Sequence, residues 1–130
     1  MKSYLEKEML AVETVRKEYD LERRTFQFAK SVRDFITKLK LTLSNIEDIK
    51  QLVRASGSVG ANYIEANECL GKKDFLMHIR ISRKEAKESR YWLRLLFVGE
   101  DKMLQERRES LVTEAYELMN IFGAILAKFN

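Results

Sequence analysis

The sequence predicts an all-α protein, an up-down-up-down antiparallel four-helix bundle. Three observations carry that reading. The 130 residues include no proline and only five glycines, too few turn residues for a sandwich or a barrel. Four long stretches place apolar residues in alternating steps of four and three, the period of one helix face. The connections between these stretches are short, which makes successive helices antiparallel neighbours. A chain of this length builds one domain with a real core. Residues 20–130 are assigned to the bundle, and residues 1–19 to a helical extension continuous with the first helix.

In that extension Leu5, Met9, Val12 and Tyr19 form a weak apolar row. The first bundle helix is marked by Leu21, Thr25, Phe28, Val32, Phe35 and Leu39 on one seam. A second row, Phe26, Ala29, Ile36 and Leu43, widens its face. Ser44-Asn45-Ile46-Glu47 has the form of a capping box, with Ser44 as cap and Glu47 reaching back. The second helix runs through Ile49, Leu52, Val53, Val59, Tyr63, Ile64 and Leu70, with Gly71 as its expected C-terminal stop. Gly57 and Gly60 lie inside it, each costing roughly 1 kcal/mol relative to alanine. Close approach of a neighbouring helix would explain them, and a local break is the competing reading.

The third helix carries Phe75, Ile79, Ser82, Ala86, Ser89, Leu93 and Leu96. Small residues in its middle and in that of the second helix predict a close crossing of the two. Gly99 is the expected end, and Asp101 the cap of a fourth helix through Leu104, Leu111, Ala115, Leu118, Phe122, Ile125 and Phe129. A lone bundle does not need the second row Val112, Tyr116, Met119 and Leu126, nor a run 91–98 that is apolar nearly all round. Self-association is the economical explanation for that surplus, and a wide monomeric core the alternative.

The chemistry excluded is broad. The one cysteine, Cys69, has no internal disulfide partner. His78 has no nucleophile and orienting group spaced around it, and Phe75 stands where a di-iron bundle would need Glu. No phosphate loop or zinc spacing occurs. The expectation is therefore no enzyme activity, no cofactor, no metal and no small-molecule substrate. With no signal-like start and no apolar run approaching the ~20 residues of a membrane span, the chain reads as cytoplasmic.

Two polar patterns remain. Gln51, Arg54, Ser58, Asn62 and Glu65 share one stripe of the second helix, with Glu85 and Glu88 of the third as carboxylate partners for the fork of Arg54. Such a set is either a solvated face or a partly buried network that fixes register. In the second pattern, residues 72–98 carry eight Lys/Arg against Asp74, Glu85 and Glu88, a local excess of +5 in a chain of net charge +4. Lys73, Arg80, Lys84, Lys87 and Arg94 recur at helical spacing, flanked by Arg83 and Arg90. A stripe of this kind suits phosphate neutralisation, without the aromatic interleaving that stacks unpaired bases. An ordinary charged face is the plain alternative.

The run from Gln51 to Ala66 resembles the Q-x-x-R-A-x-x-S-(I/V)-x-A-N-x-x-E-(A/G) signature of the four helix bundle family. This family is associated with intervening sequences of large-subunit ribosomal RNA genes. Lys73-Asp74-Phe75 follows at the expected distance, and residues 81–93, ending in Trp92-Leu93, resemble the second signature. Asp20-Leu21 and Phe28-Ala29 match the start of the first family helix, so the similarity covers about residues 20–129. The resemblance implies a homopentameric barrel of four-helix protomers. It also implies association with nucleic acid, as in the similar accessory variability protein of diversity-generating retroelements. The proline that often follows the first family helix is missing here, and residues 1–19 extend beyond the usual start. The expected function is a non-catalytic, oligomeric bundle whose partners are copies of itself and RNA or DNA backbone. The alternative is a protein–protein scaffold, or an accessory subunit without direct nucleic-acid binding.

Overall fold

Four helices account for nearly all of the structure, a computed structural model that describes the backbone over residues 4–129 and the side chains over residues 20–129. They are α1 (Tyr4–Ile36), α2 (Leu43–Glu68), α3 (Lys72–Leu95) and α4 (Lys102–Ala127), and the described residues form no strand. Packing follows chain order around a ring, α1 on α2, α2 on α3, α3 on α4, and α4 back on α1. The α2–α3 and α3–α4 faces are extensive and the α1–α4 face is thin. Among the described residues no helix is long and apolar enough to cross a membrane. The expected apolar row Leu5, Met9, Val12 and Tyr19 lies outside the described side chains.

The core is the meeting of the four seams. Phe28, Val32 and Phe35 of α1, with Leu39 of the turn after it, pack with Leu52, Val59 and Tyr63 of α2 in one cluster. Ile79, Ala86 and Leu93 of α3 join them, as do Leu111, Ala115, Leu118 and Phe122 of α4. Burying each large member stabilises the fold by about 1.5–3 kcal/mol. The Tyr63 and Phe122 rings meet at 5.9 Å across the bundle.

Helix ends depart from the expected caps in three places. Thr42, not Ser44, caps α2: its backbone is extended and its hydroxyl accepts from the Asn45 N–H at 3.2 Å. Leu39 must plug the core, so the chain turns immediately after it and the cap falls two residues early. Gly71 does not end α2, which closes at Glu68 with Cys69 extended; Gly71 instead occupies the N-cap of α3. Helix α3 ends at Leu95, and Gly99 (φ +68°) makes the turn beyond it. Leu96 is buried and pulls the chain inward, and the Arg108 guanidinium donates to its carbonyl at 2.6 Å. Asp101 caps α4 as expected, accepting from the Met103 and Leu104 N–H groups.

Helix α2 is continuous through both glycines, so the local-break reading falls. Gly60 nevertheless faces α1 rather than α3: a Cβ there would lie 2.9 Å from Thr25 Oγ1 and 3.2 Å from Thr25 Cβ. The close α2–α3 crossing is made by serine, where the buried Ser82 hydroxyl donates to the Val59 carbonyl at 2.9 Å. The second apolar rows divide: Ile36, Val112, Met119 and Leu126 are half-buried and pack against the core, whereas other apolar side chains stay open. Phe26 is 62% exposed and Leu43 83%, and Tyr116, Leu95 and Phe97 are also open.

Candidate nucleic-acid interface

One face of α3 points away from the bundle. Its register follows from the core seam: with Ile79, Ser82, Ala86, Ser89 and Leu93 buried, residues half a turn away must face water. Lys73, Met77, Arg80, Lys84, Lys87, Tyr91 and Arg94 occupy that line in steps of four and three, and all seven are exposed. At 1.5 Å per residue the line is about 30 Å long.

The five cations on this line form no ion pair among the described residues. Some cations on the other helices are paired between helices. Arg24 of α1 binds Glu114 of α4 through two contacts of 2.8 and 2.7 Å and also reaches Glu117. Arg107 of α4 binds Asp34 of α1 at 2.9 Å. These pairs stitch the thin α1–α4 seam. The five charges on the α3 line are left to solvent.

Arg83 and Arg90 leave the line and lean on α4. Arg83 lies against Gly123, where an added Cβ would come within 3.6 Å of its Nε. Arg90 is half-buried, with its guanidinium 5.2 Å from the centre of the Tyr116 ring. The structure therefore places five of the seven expected cations on the outward line and turns two toward α4, of which Arg83 is still exposed and Arg90 half-buried.

The polar stripe of α2 divides as well. Arg54 is exposed and donates to Gln51 Oε1 of its own helix at 2.9 Å, with no direct bond to Glu85 or Glu88. Asn62 donates to the Ser58 carbonyl at 2.9 Å and meets His78 Nδ1 of α3 at 3.1 Å through its Oδ1. Glu65 is exposed and Glu88 half-buried. Glu85 is only 6% exposed, and its Oε2 has no hydrogen-bond partner. Burial pushes the Glu85 carboxyl above its ordinary range, and Glu88 adds to this; Lys84 and Arg54 oppose it through space.

Three features escaped sequence reasoning. Tyr91 sits on the cationic line, four residues after Lys87 and three before Arg94. That spacing is present in the sequence, but Tyr91 opens the run 91–98, which is apolar nearly all round and reads as assembly surface. The His78–Asn62 link joins residues of two helices and has no local signal. Asn45 is fully buried: its amide donates to the Lys40 and Phe97 carbonyls, and its Oδ1 accepts from the Phe97 N–H, all at 2.9 Å. It ties together the two loops at one end of the bundle.

An apolar-floored groove of about 590 Å³ runs between α1 and α2, lined in part by Phe26, Ala29, Gly57, Ala61 and Ile64. Among the described residues no three His, Cys, Asp or Glu side chains gather as a metal site requires.

Fold and surface together define a class, an antiparallel four-helix bundle with one basic outer helix face. The chain matches the 23S rRNA-intervening sequence protein family over residues 17–124, and it belongs to that family. Both signature segments, residues 51–66 and 81–93, fall inside the matched span. It is also similar to a crystal structure from Bacteroides thetaiotaomicron, described as a protein with unknown function from the S23 ribosomal protein family. The two are 26% identical and superpose with a TM-score of 0.68, over 82% of this chain and 97% of that one. No curated protein matches the chain.

Proposed function

We propose that the protein is a non-catalytic, self-assembling bundle that holds RNA or DNA backbone along the outward face of α3. The observation that carries this is the line Lys73, Arg80, Lys84, Lys87 and Arg94, five exposed cations without an ion pair. An exposed helix face that serves only solubility gains from mixing signs, whereas polyphosphate binding gains from keeping its cations free. Membership of a family named for 23S rRNA intervening sequences supports the same partner class.

Self-assembly is supported by apolar surface that one chain leaves open. Phe26, Leu43, Leu95, Phe97, Met103 and Tyr116 are all exposed, and the α1–α2 groove has an apolar floor. Five-fold assembly is the arrangement that the family resemblance implies. It would repeat the cationic line around a ring, raising avidity for a long polyanion.

Binding to structured ribosomal RNA across a salt series tests the reading. Five phosphates neutralised on duplex give a slope of log affinity on log salt of about −4 to −5. Arg80→Glu, Lys84→Glu and Lys87→Glu together should abolish binding at low salt. Unchanged binding in that variant removes the proposal. Light scattering with and without RNA reads the assembly.

A protein–protein scaffold is the second reading, favoured by the exposed Leu41, Leu43, Leu95, Phe97 and Met103 at one end of the bundle. A protein partner that is retained after nuclease treatment, by a chain that binds no RNA, would favour it.

A further inference from the structure

Tyr91 breaks the cationic line at its most informative place. It is 56% exposed and lies between Lys87 and Arg94, its neighbours on the helix surface one turn to either side. Its ring meets that of Trp92 at 5.1 Å and 79°, an edge-to-face contact that restrains the ring while leaving it accessible. Beyond it, Leu95 and Phe97 extend the exposed apolar surface toward the end of α3. Neutralising a backbone needs no aromatic group, and the contact with Trp92 leaves more than half of this one open to solvent. An unpaired base presents a π-face flanked by phosphates, which matches an aromatic ring flanked by cations.

We propose that Tyr91 stacks an unpaired base of an RNA or DNA strand while Lys87 and Arg94 neutralise the phosphates on either side of it. This rests on the nucleic-acid reading above and sharpens it. Lys73, Arg80 and Lys84 follow backbone of any sequence, and Tyr91 adds a preference for nucleotides that are not paired. The ligand is then a strand with an accessible base face, such as a loop, a bulge or a free end, rather than a closed duplex.

The test compares three labelled probes by fluorescence anisotropy: an oligouridylate, the matching oligothymidylate, and a blunt duplex of equal length. Tyr91→Ala is expected to weaken single-strand binding about fivefold or more, and duplex binding less than about twofold. Tyr91→Phe, which keeps the ring, should retain wild-type affinity for all three. Loss on the oligouridylate alone supports the proposal and assigns the base to RNA. Loss on both single strands supports it for either backbone.

Equal loss on duplex and single strand, or no loss at all, overturns the stacking role. So does a change of particle size in Tyr91→Ala, which would place the ring between copies of the chain. The parent reading is tested separately by Arg80→Glu with Lys84→Glu. If that variant keeps full affinity while Tyr91→Ala loses it, stacking stands and the backbone role of α3 falls. If wild type binds none of the probes, both fall.

Discussion

Asn45 grips the backbone of Phe97 on both sides of its Cα, accepting from its N–H and donating to its carbonyl, each at 2.9 Å. The two residues are far apart in sequence, and the same amide also holds the Lys40 carbonyl. One buried side chain thereby joins the α1–α2 turn to the α3–α4 turn. It also fixes the backbone just past the Tyr91 end of the cationic line.

Asn45→Ala should therefore destabilise more than its size suggests. It strands two carbonyls and one N–H, for a loss of about 2–4 kcal/mol in urea unfolding. Asn45→Asp keeps the acceptor but turns a carboxylate oxygen toward the Lys40 and Phe97 carbonyls, and should be at least as destabilising as alanine at neutral pH. A variant as stable as wild type would show that water replaces the amide.

Gly60→Ala is expected to lower stability even though alanine is the better helix former by about 1 kcal/mol. The added Cβ would press on Thr25, which is buried and has no room to yield. A net loss of about 1–3 kcal/mol follows. Adding Thr25→Ala removes the 2.9 Å clash with Oγ1 and should recover part of it. Gly71→Ala is the control, because nothing lies within 4 Å of its Cβ position. Thermal unfolding of the three variants beside wild type checks the set.

Glu85 sets a pH dependence whose sign is opposite to that of most carboxylates. Its folded-state pKa lies above its unfolded value, so the native state binds the proton more tightly. Stability then falls as pH rises from the ordinary Glu range through the raised value, and the penalty persists at neutral pH. Asp34 is the reverse case: the hydrogen bond from Arg107 holds it low, so its contribution is lost on acidification. Glu85→Gln should raise the melting temperature at neutral pH and flatten the mildly acidic limb. An unaltered pH profile would mean that solvent reaches the carboxylate. Arg54→Ala should push the Glu85 carboxyl further up, since Arg54 favours its charged form without bonding to it.

Arg24→Ala should open the thin side of the bundle. The Arg24–Glu114 pair is two-pronged but partly exposed, which limits its worth to about 1 kcal/mol. A double-mutant cycle with Glu114→Ala should show positive coupling that shrinks with added salt. Coupling that is absent at low salt would assign the α1–α4 closure to apolar packing alone.

Much of this molecule follows from spacing. A four-three rhythm that runs through Phe28, Val32 and Phe35, and again through Ile79, Ser82 and Ala86, places those residues inside whatever bundle forms. The same rhythm half a turn away puts Lys73, Arg80, Lys84, Lys87 and Arg94 outside. Angular position on a helix is a local property, set by the 100° step between residues, so the sequence alone determines it. Helix number, order and antiparallel sense follow equally from the runs and their short links.

Spacing does not say which neighbour covers a given face. Only the packed structure turned Gly60 toward Thr25 instead of toward α3, and leaned Arg83 and Arg90 on α4. It alone buried Glu85 with an unpartnered oxygen, and left Tyr91 standing among free cations. These outcomes depend on contacts between residues remote in the chain, where a few tenths of an ångström decide which side chain fits. The caps moved for the same reason: burying Leu39 and Leu96 outweighs a local preference at Ser44 or Gly99.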